Sequence, residues 1–290
     1  MLAGGLAKRY GGCKPLAPLG VHGEAIVDLT ASDALAGGFG RIVLVVGPTT
    51  KQALNYHVQR TWPRSVETVI AEQSLPLGTA HAVLCARWAV GDGPFAVVNS
   101  DDVYGQTAMR LLADSVAGGA NTLVAFHLSD TVLTEEPVTR GVCVTDGKGK
   151  LTGLAERRKV SIQDDGSFIA GDGLEPSRLA PDVLVSMNLW GFQPGIWKLF
   201  EDAVLQAHPD VGPDGRLLDP AKTVANDEET LLPEVVGRAV SEGVLDVSLE
   251  AAPGKSVGVT HASDLPVARG AIARMVGRGE RPEWLWKVQH

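Results

Sequence analysis

The stretch RIVLVVGPTTKQALNYHVQRTWPRSVETVIAE, residues 41–72, reads as strand, helix, strand. The apolar run inside Arg41–Gly47 is short and rich in β-branched residues, as in a strand buried on both faces. Thr49–Trp62 is apolar on one side only, which suits a helix covering a sheet, and Val66–Glu72 is strand-like again. The alternation continues through candidate strands Pro94–Asn99 and Asn121–Leu128, with candidate helices Thr79–Val90 and Gln106–Ala117 before each of them. Short strands separated by longer helices build parallel βα units. The expected fold class is therefore α/β, a doubly wound three-layer α/β/α sandwich on a mixed, mostly parallel sheet.

Beyond residue 130 the pattern changes. GVCVTD (141–146) and LTGLAE (151–156) flank a DGKGK turn as a hairpin, and VLVSMNLWGF (183–192) is a third strand-like segment. Segments 163–182 and 208–227 are rich in Gly, Pro and Asp without periodicity, so they read as loops, either binding edges or plain surface excursions. A helix over 229–242, a strand over 244–250 and an amphipathic helix over 262–277 complete the expectation. The length of 290 residues fits one elaborated domain with two functional halves, 1–130 and 131–290.

Composition narrows the function classes. An apolar fraction of 44% and a mean hydropathy of +0.07 are those of an ordinary globular protein, and no run of about 18 apolar residues exists to span a membrane. The net charge of −8 repels nucleic acid over most of the surface. Cys13, Cys85 and Cys143 are odd in number and widely spaced, so they read as free thiols of a reducing cytoplasm, and the opening residues do not read as a secretory leader. Only Met1, Leu2 and Ala3 precede the first glycine, too few for a central strand, which leads to the expectation of further apolar residues upstream. The PEWLW tail, Pro282–Trp286, fits either a homo-oligomer interface or packing on its own domain.

Leu2–Leu16, LAGGLAKRYGGCKPL, carries the chemistry. Four glycines let backbone N–H groups approach an anion, and Lys8, Arg9 and Lys14 add cations. No acid occurs before Glu24, so the first 23 residues carry +3 and the rest −11 of the total −8. The loop matches neither GxxxxGK[ST] nor GxGxxG, which disfavours P-loop and dinucleotide chemistry.

LAGGLAKRYGGCKPL resembles the signature loop of sugar-phosphate nucleotidyltransferases. EQSLPLGTAHAV (72–83), VVNSDDVYG (97–105), RGVCVTDGKGKLTGLAERRKV (140–160) and VSMNLWGFQP (185–194) follow in the order of that family. Ala7 replaces a common third glycine, and the four-residue gap between Arg9 and Lys14 is shared with molybdopterin guanylyl- and cytidylyltransferases, the second candidate. A catalytically silent nucleotide sensor on the same fold is the third. The resemblance implies a nucleotide-diphospho-sugar transferase-like fold with a nucleotide-binding half at 1–130 and an acceptor-binding half at 131–290. It further implies Mg²⁺ as cofactor and an NTP and a sugar or cyclitol 1-phosphate as substrates.

The implied roles are specific. Arg9 would hold the β,γ-phosphates, Lys14 the α-phosphate, and Asp101 the Mg²⁺, with Asp102 the weaker choice and a second ligand from Asp227, Glu228 or, most naturally, Glu229. Leu2, Ala3, Gly4, Gly5, Gln73, Gly78, Thr79 and Ser100 would surround the nucleotide, with Gln73 and Gly78 at the base and Thr79 also capping its helix. Arg140, Gly141, Glu156, Arg157, Lys159 and Asn188 would meet the acceptor, although strand alternation prevents all of Glu156–Lys159 from facing one cleft. His81 reads as a packed histidine, and Trp190 and Phe192 as core.

Overall fold

A computed structural model describes residues 1–5, 11–134, 136–222, 228–259 and 261–286. Strands β1 (Leu2–Ala3), β2 (Arg41–Val46), β3 (Glu67–Glu72) and β4 (Phe95–Val97) carry the first half, with the short β5 (Asp102–Val103) and then β6 (Thr122–His127). Helices α1 (Ile26–Gly37), α2 (Lys51–Thr61), α3 (Thr79–Cys85), α4 (Arg87–Val90) and α5 (Gln106–Ala117) connect them. The second half contributes β7 (Val138–Thr145), β8 (Leu151–Ile162), β9 (Phe168–Ala170), β10 (Arg178–Leu179), β11 (Leu184–Ser186), β12 (Trp190–Phe192), β13 (Ser248–Ala251) and β14 (Val257–Gly258). Its helices are α6 (Ile196–Ala207), α7 (Leu232–Ser241) and α8 (Leu265–Gly277).

The sheet is mixed as expected. β3, β2 and β1 run parallel, and β1 joins β4 through the Leu2 N–H on the Val98 carbonyl (2.8 Å) and the Ser100 N–H on the Leu2 carbonyl (3.1 Å). β12 is antiparallel to both β4 and β6, and β13 runs parallel to β6. Parallel direction thus rules the central sheet apart from β12, whereas β11, β7, β8, β9 and β10 form an antiparallel arm. Arm and central sheet part company between β11 and β12, which lie along β6 one after the other. Asn188 sits between them at φ 59°, a left-handed conformation that Asn tolerates better than most residues.

The layers follow from the apolar faces. α1, α2 and α5 bury Ala31, Leu54, Leu112 and Val116 on one side of the sheet. α3, α6 and α7 bury Val83, Phe200 and Val236 on the other. Both clusters draw residues from before and after position 130. Segment 163–182, read as loop, contains β9 and β10, and the single helix expected over Thr79–Val90 is divided at Ala86. Two long helices, α1 and α6, were absent from the sequence reading. β1 is only two residues long; the Met1 amine donates to the Val43 carbonyl (2.8 Å), and a cavity of about 410 Å³ lies beside it, lined by β2 and β4. No described helix is long and apolar enough to cross a membrane.

The C-terminal tail meets the first half of the chain: Trp286 meets Trp62 at 5.7 Å between ring centroids, and Trp284 stacks on His22 at 3.9 Å.

Candidate active site

The glycine loop and the end of β4 meet through one ion pair. Lys14, at the start of a short 3₁₀ turn with Pro15, places Nζ 2.7 Å from Asp101 Oδ2. Both side chains retain partial solvent contact. Asp101 follows β4, at the strand end where open α/β sheets bind ligands. Arg9 and Lys8 lie outside the described residues, as does Asp227.

A polar pocket of about 250 Å³ opens beside this pair. Lys14, Asp101, Asp102, Arg140, Asn188 and Asp264 are among its lining residues, so the fold gathers three carboxylates, two cations and an amide from five separate segments. Asp102 accepts the Asn99 side-chain N–H at 3.0 Å, and burial, aided by the neighbouring Asp101 charge, holds its carboxyl above the ordinary range. Arg140 is anchored by the Thr131 hydroxyl (3.0 Å), the Thr131 carbonyl (2.6 Å) and the Thr139 carbonyl (2.9 Å). Asn188 accepts the Trp190 indole N–H at 3.2 Å. Among the described residues no three His, Cys, Asp or Glu side chains form a preassembled metal cluster. Asp101 and Asp102 are nevertheless hard oxygen donors of the kind that share a divalent cation with phosphate oxygens.

The residues expected to surround the nucleotide lie outside the lining of this pocket. Gly4 lies against Gly47 and Gln73: a Cβ on Gly4 would stand 3.0 Å from Gln73 Oε1, and one on Gly47 would meet the Gly4 carbonyl at 2.6 Å. Gly5 is open to solvent. The backbone groups of Leu2 and Ala3 are used within the protein, since the Ser100 hydroxyl donates to the Leu2 carbonyl (2.7 Å) and the Thr50 hydroxyl to that of Ala3 (2.7 Å). Gly78 adopts φ +98°, and a Cβ there would come within 2.4 Å of the Thr230 carbonyl. Gly78→Ala is therefore expected to cost roughly 2–4 kcal/mol, left-handed strain and overpacking combined, measured by urea unfolding.

Several expected site residues do other work. Thr79 accepts the Leu232 N–H at 2.8 Å, so its hydroxyl caps α7 and not its own helix. Arg157 is buried on the arm. Its Nε and Nη2 pair with both Asp172 oxygens (2.8 and 3.1 Å), and its remaining reach goes to the Pro176 and Leu174 carbonyls (each 2.9 Å). Four of its five N–H donors are thus spent within the arm. Glu156 faces solvent and pairs with Arg158 at 2.6 Å, and Lys159 is exposed at φ 52°. Neither they nor Gly141, paired with Glu156 across the hairpin, line the pocket. Glu229 is also exposed and outside that lining; its neighbour Thr230 is bonded to Leu77 and Ala80, beside the start of α3. Among the described residues, the carboxylate that lines this pocket from the second half is Asp264, which its sequence context does not single out.

Arg157 holds the Asp172 carboxyl well below the usual carboxylate range. A depressed carboxyl stabilises the fold above its unfolded value of about 3.9, and the contribution is lost as pH falls toward the native value. Proteolysis of the arm is thus expected to accelerate below about pH 4, and Asp172→Asn to make the arm labile already at neutral pH.

The nucleotidyl transferase family profile matches residues 1–174. The UTP–glucose-1-phosphate uridylyltransferase of Escherichia coli K12 is 28% identical over 155 residues, 51% of each chain. The low-salt glycan biosynthesis nucleotidyltransferase Agl11 of Haloferax volcanii is 22% identical over 232 residues, 78% of this chain and 57% of its own. The chain spans about half the length of the curated relatives it matches. Among solved structures, the inositol-1-phosphate CTP transferase from T. maritima superposes with a TM-score of 0.62 at 14% identity, covering 95% of this chain and 94% of its own. UTP-bound UGPase from Acinetobacter baumannii gives 0.59 at 15% identity, covering 97% and 93%. These two share the fold.

Proposed function

The chain belongs to the nucleotidyl transferase family, and on that premise we propose that it transfers a nucleoside monophosphate from an NTP to a sugar or cyclitol 1-phosphate, releasing pyrophosphate. The observation that carries the reading is the Lys14–Asp101 pair at the mouth of the polar pocket, where the glycine loop meets the end of β4. One acceptor phosphate oxygen attacks the α-phosphorus, and the α–β bridging oxygen leaves with pyrophosphate. The acceptor phosphate is already a competent nucleophile, so no covalent enzyme intermediate is required.

The chain's own residues bind and orient. Lys14 neutralises the α-phosphate and the incoming phosphate, which would otherwise repel each other, and Arg9 holds the departing pyrophosphate. Arg140, kept in place by Thr131, and Asn188 meet the acceptor, with Asp264 accepting a hydrogen bond from one of its hydroxyls. Gly4, Gly5 and Gln73 receive the nucleoside. Mg²⁺, held by Asp101 with Asp102, would supply charge neutralisation at the phosphates.

A screen of the four NTPs and deoxy-TTP against sugar and cyclitol 1-phosphates, read as pyrophosphate, tests the reading. Turnover with a sugar or cyclitol 1-phosphate is expected, abolished by EDTA and restored by Mg²⁺. Turnover of a pterin acceptor alone, or nucleotide binding without turnover, would overturn it.

A further inference from the structure

Around Gln73 lies a buried network that no catalytic step uses. His81, on α3, is fully buried, and its Nε2 stands 2.8 Å from the Gly215 carbonyl. A carbonyl accepts only, so Nε2 carries the proton. Burial opposes a second proton on the ring, moving its titration below the ordinary histidine range, so the ring is neutral and Nδ1 is an acceptor. Nδ1 faces the Gln73 amide nitrogen at 3.1 Å, and that same nitrogen donates to the Gly78 carbonyl at 2.9 Å. Both amide hydrogens of Gln73 are thereby used, and both bonds demand nitrogen, not oxygen, at that position. The amide cannot turn over without setting oxygen against the Gly78 carbonyl and against Nδ1. What Gln73 presents over Gly4 is consequently Oε1, an acceptor with no partner among the described residues.

Resting on the reading of Gln73 as the base-facing residue, we propose that His81 is a positioning residue that fixes the Gln73 amide oxygen outward, so that the site selects a nucleobase with a ring N–H. Uracil, thymine and guanine offer such a donor. Cytosine and adenine present a bare ring nitrogen there, which would set two acceptors face to face. A buried polar site that loses its only partner discriminates strongly, so UTP should exceed CTP, or GTP exceed ATP, by at least about 100-fold in kcat/KM.

Two experiments test this with pyrophosphate release and an acceptor found by screening. With the unaltered protein, N-methylation of the preferred base at its ring N–H (3-methyl-UTP, or 1-methyl-GTP) should raise KM by about 100-fold while the parent nucleotide turns over normally. With His81→Leu, only the Gly78 carbonyl still holds the amide nitrogen, so the amide is less firmly fixed and the UTP/CTP or GTP/ATP ratio should fall at least tenfold, chiefly through KM. Preference for CTP or ATP, indifference to ring methylation, or an unchanged ratio in a folded His81→Leu protein would overturn the proposal and leave nucleotidyl transfer intact. Absence of turnover with every nucleotide would overturn the underlying reading and the proposal with it. Should His81→Leu not fold, the methylated nucleotides decide alone.

Discussion

Asp101→Asn is expected to slow pyrophosphate release by about 10²–10³-fold, with little change in the urea unfolding midpoint. The asymmetry follows from where the carboxylate sits. Its partner Lys14 and Asp101 itself are partly exposed, and ion pairs at such sites contribute roughly 0–1 kcal/mol to folding. In the proposed reaction, by contrast, the same oxygens share a cation with phosphates whose charge shifts as the bond breaks. Loss of one negative charge there is not replaced by water at the moment of transfer. Lys14→Met should show the same split. Activity within twofold of the parent for either variant would remove this pair from the mechanism.

The largest stability effect is expected far from the pocket in sequence. Arg281→Met should lower stability by roughly 3–5 kcal/mol, a fall in Tm of about 5–10 °C. Arg281 Nη1 lies 2.8 Å from Asp33 Oδ2, and Nη2 donates to the Leu29 carbonyl at 2.9 Å, with both side chains buried. Burial already pushes the Asp33 carboxyl above its ordinary range, against the pull of Arg281. Removing the guanidinium leaves an uncompensated buried charge, which is the costly case. Because Asp33 also accepts the Gly105 N–H (3.2 Å), and Thr30 on the same helix donates to the Asp102 carbonyl (2.7 Å), α1 supports the acidic turn from beneath. Asp33→Asn combined with Arg281→Met keeps an acceptor for Gly105 and removes both charges. Thermal melts should show the double variant recovering most of the loss; an equally unstable double variant would mean that packing, not charge, dominates at Arg281.

Much of the fold was legible along the chain because strands and amphipathic helices write their buried face into local periodicity. Gln106–Ala117 is helical over the span expected, and Arg41–Val46 and Thr122–His127 fall within the strands expected. α1 was not legible. Ten of its twelve residues are buried, among them Asp28, Thr30, Ser32 and Asp33, so no polar face betrays a helix. Partners for these groups come from elsewhere: Asp28 Oδ1 accepts the Trp62 indole N–H (2.7 Å) and stands 2.8 Å from His57 Nε2, and Asp33 Oδ2 is held by Arg281, while Asp33 Oδ1 has no partner among the described residues. His81 read as a packed histidine and is one; its hold on Gln73 has no signature in the spacing of the two residues.

The amino-acid sequence by itself determined the βα alternation, the glycine loop with its local +3 against a net of −8, and the placement of Asp101 at a strand end. These are local properties, set by period, composition and turn chemistry. Only the tertiary structure decided which side chains share a pocket. It brought Asp264 and Arg140 to Lys14 and Asp101, and it withdrew Arg157 into a buried ion pair, Thr79 into a helix cap and Glu229 to an exposed position outside the pocket. A side chain's chemical type is written in the chain, but its partners are chosen by strand order and by the burial that makes an unpaired charge or amide too costly to leave alone.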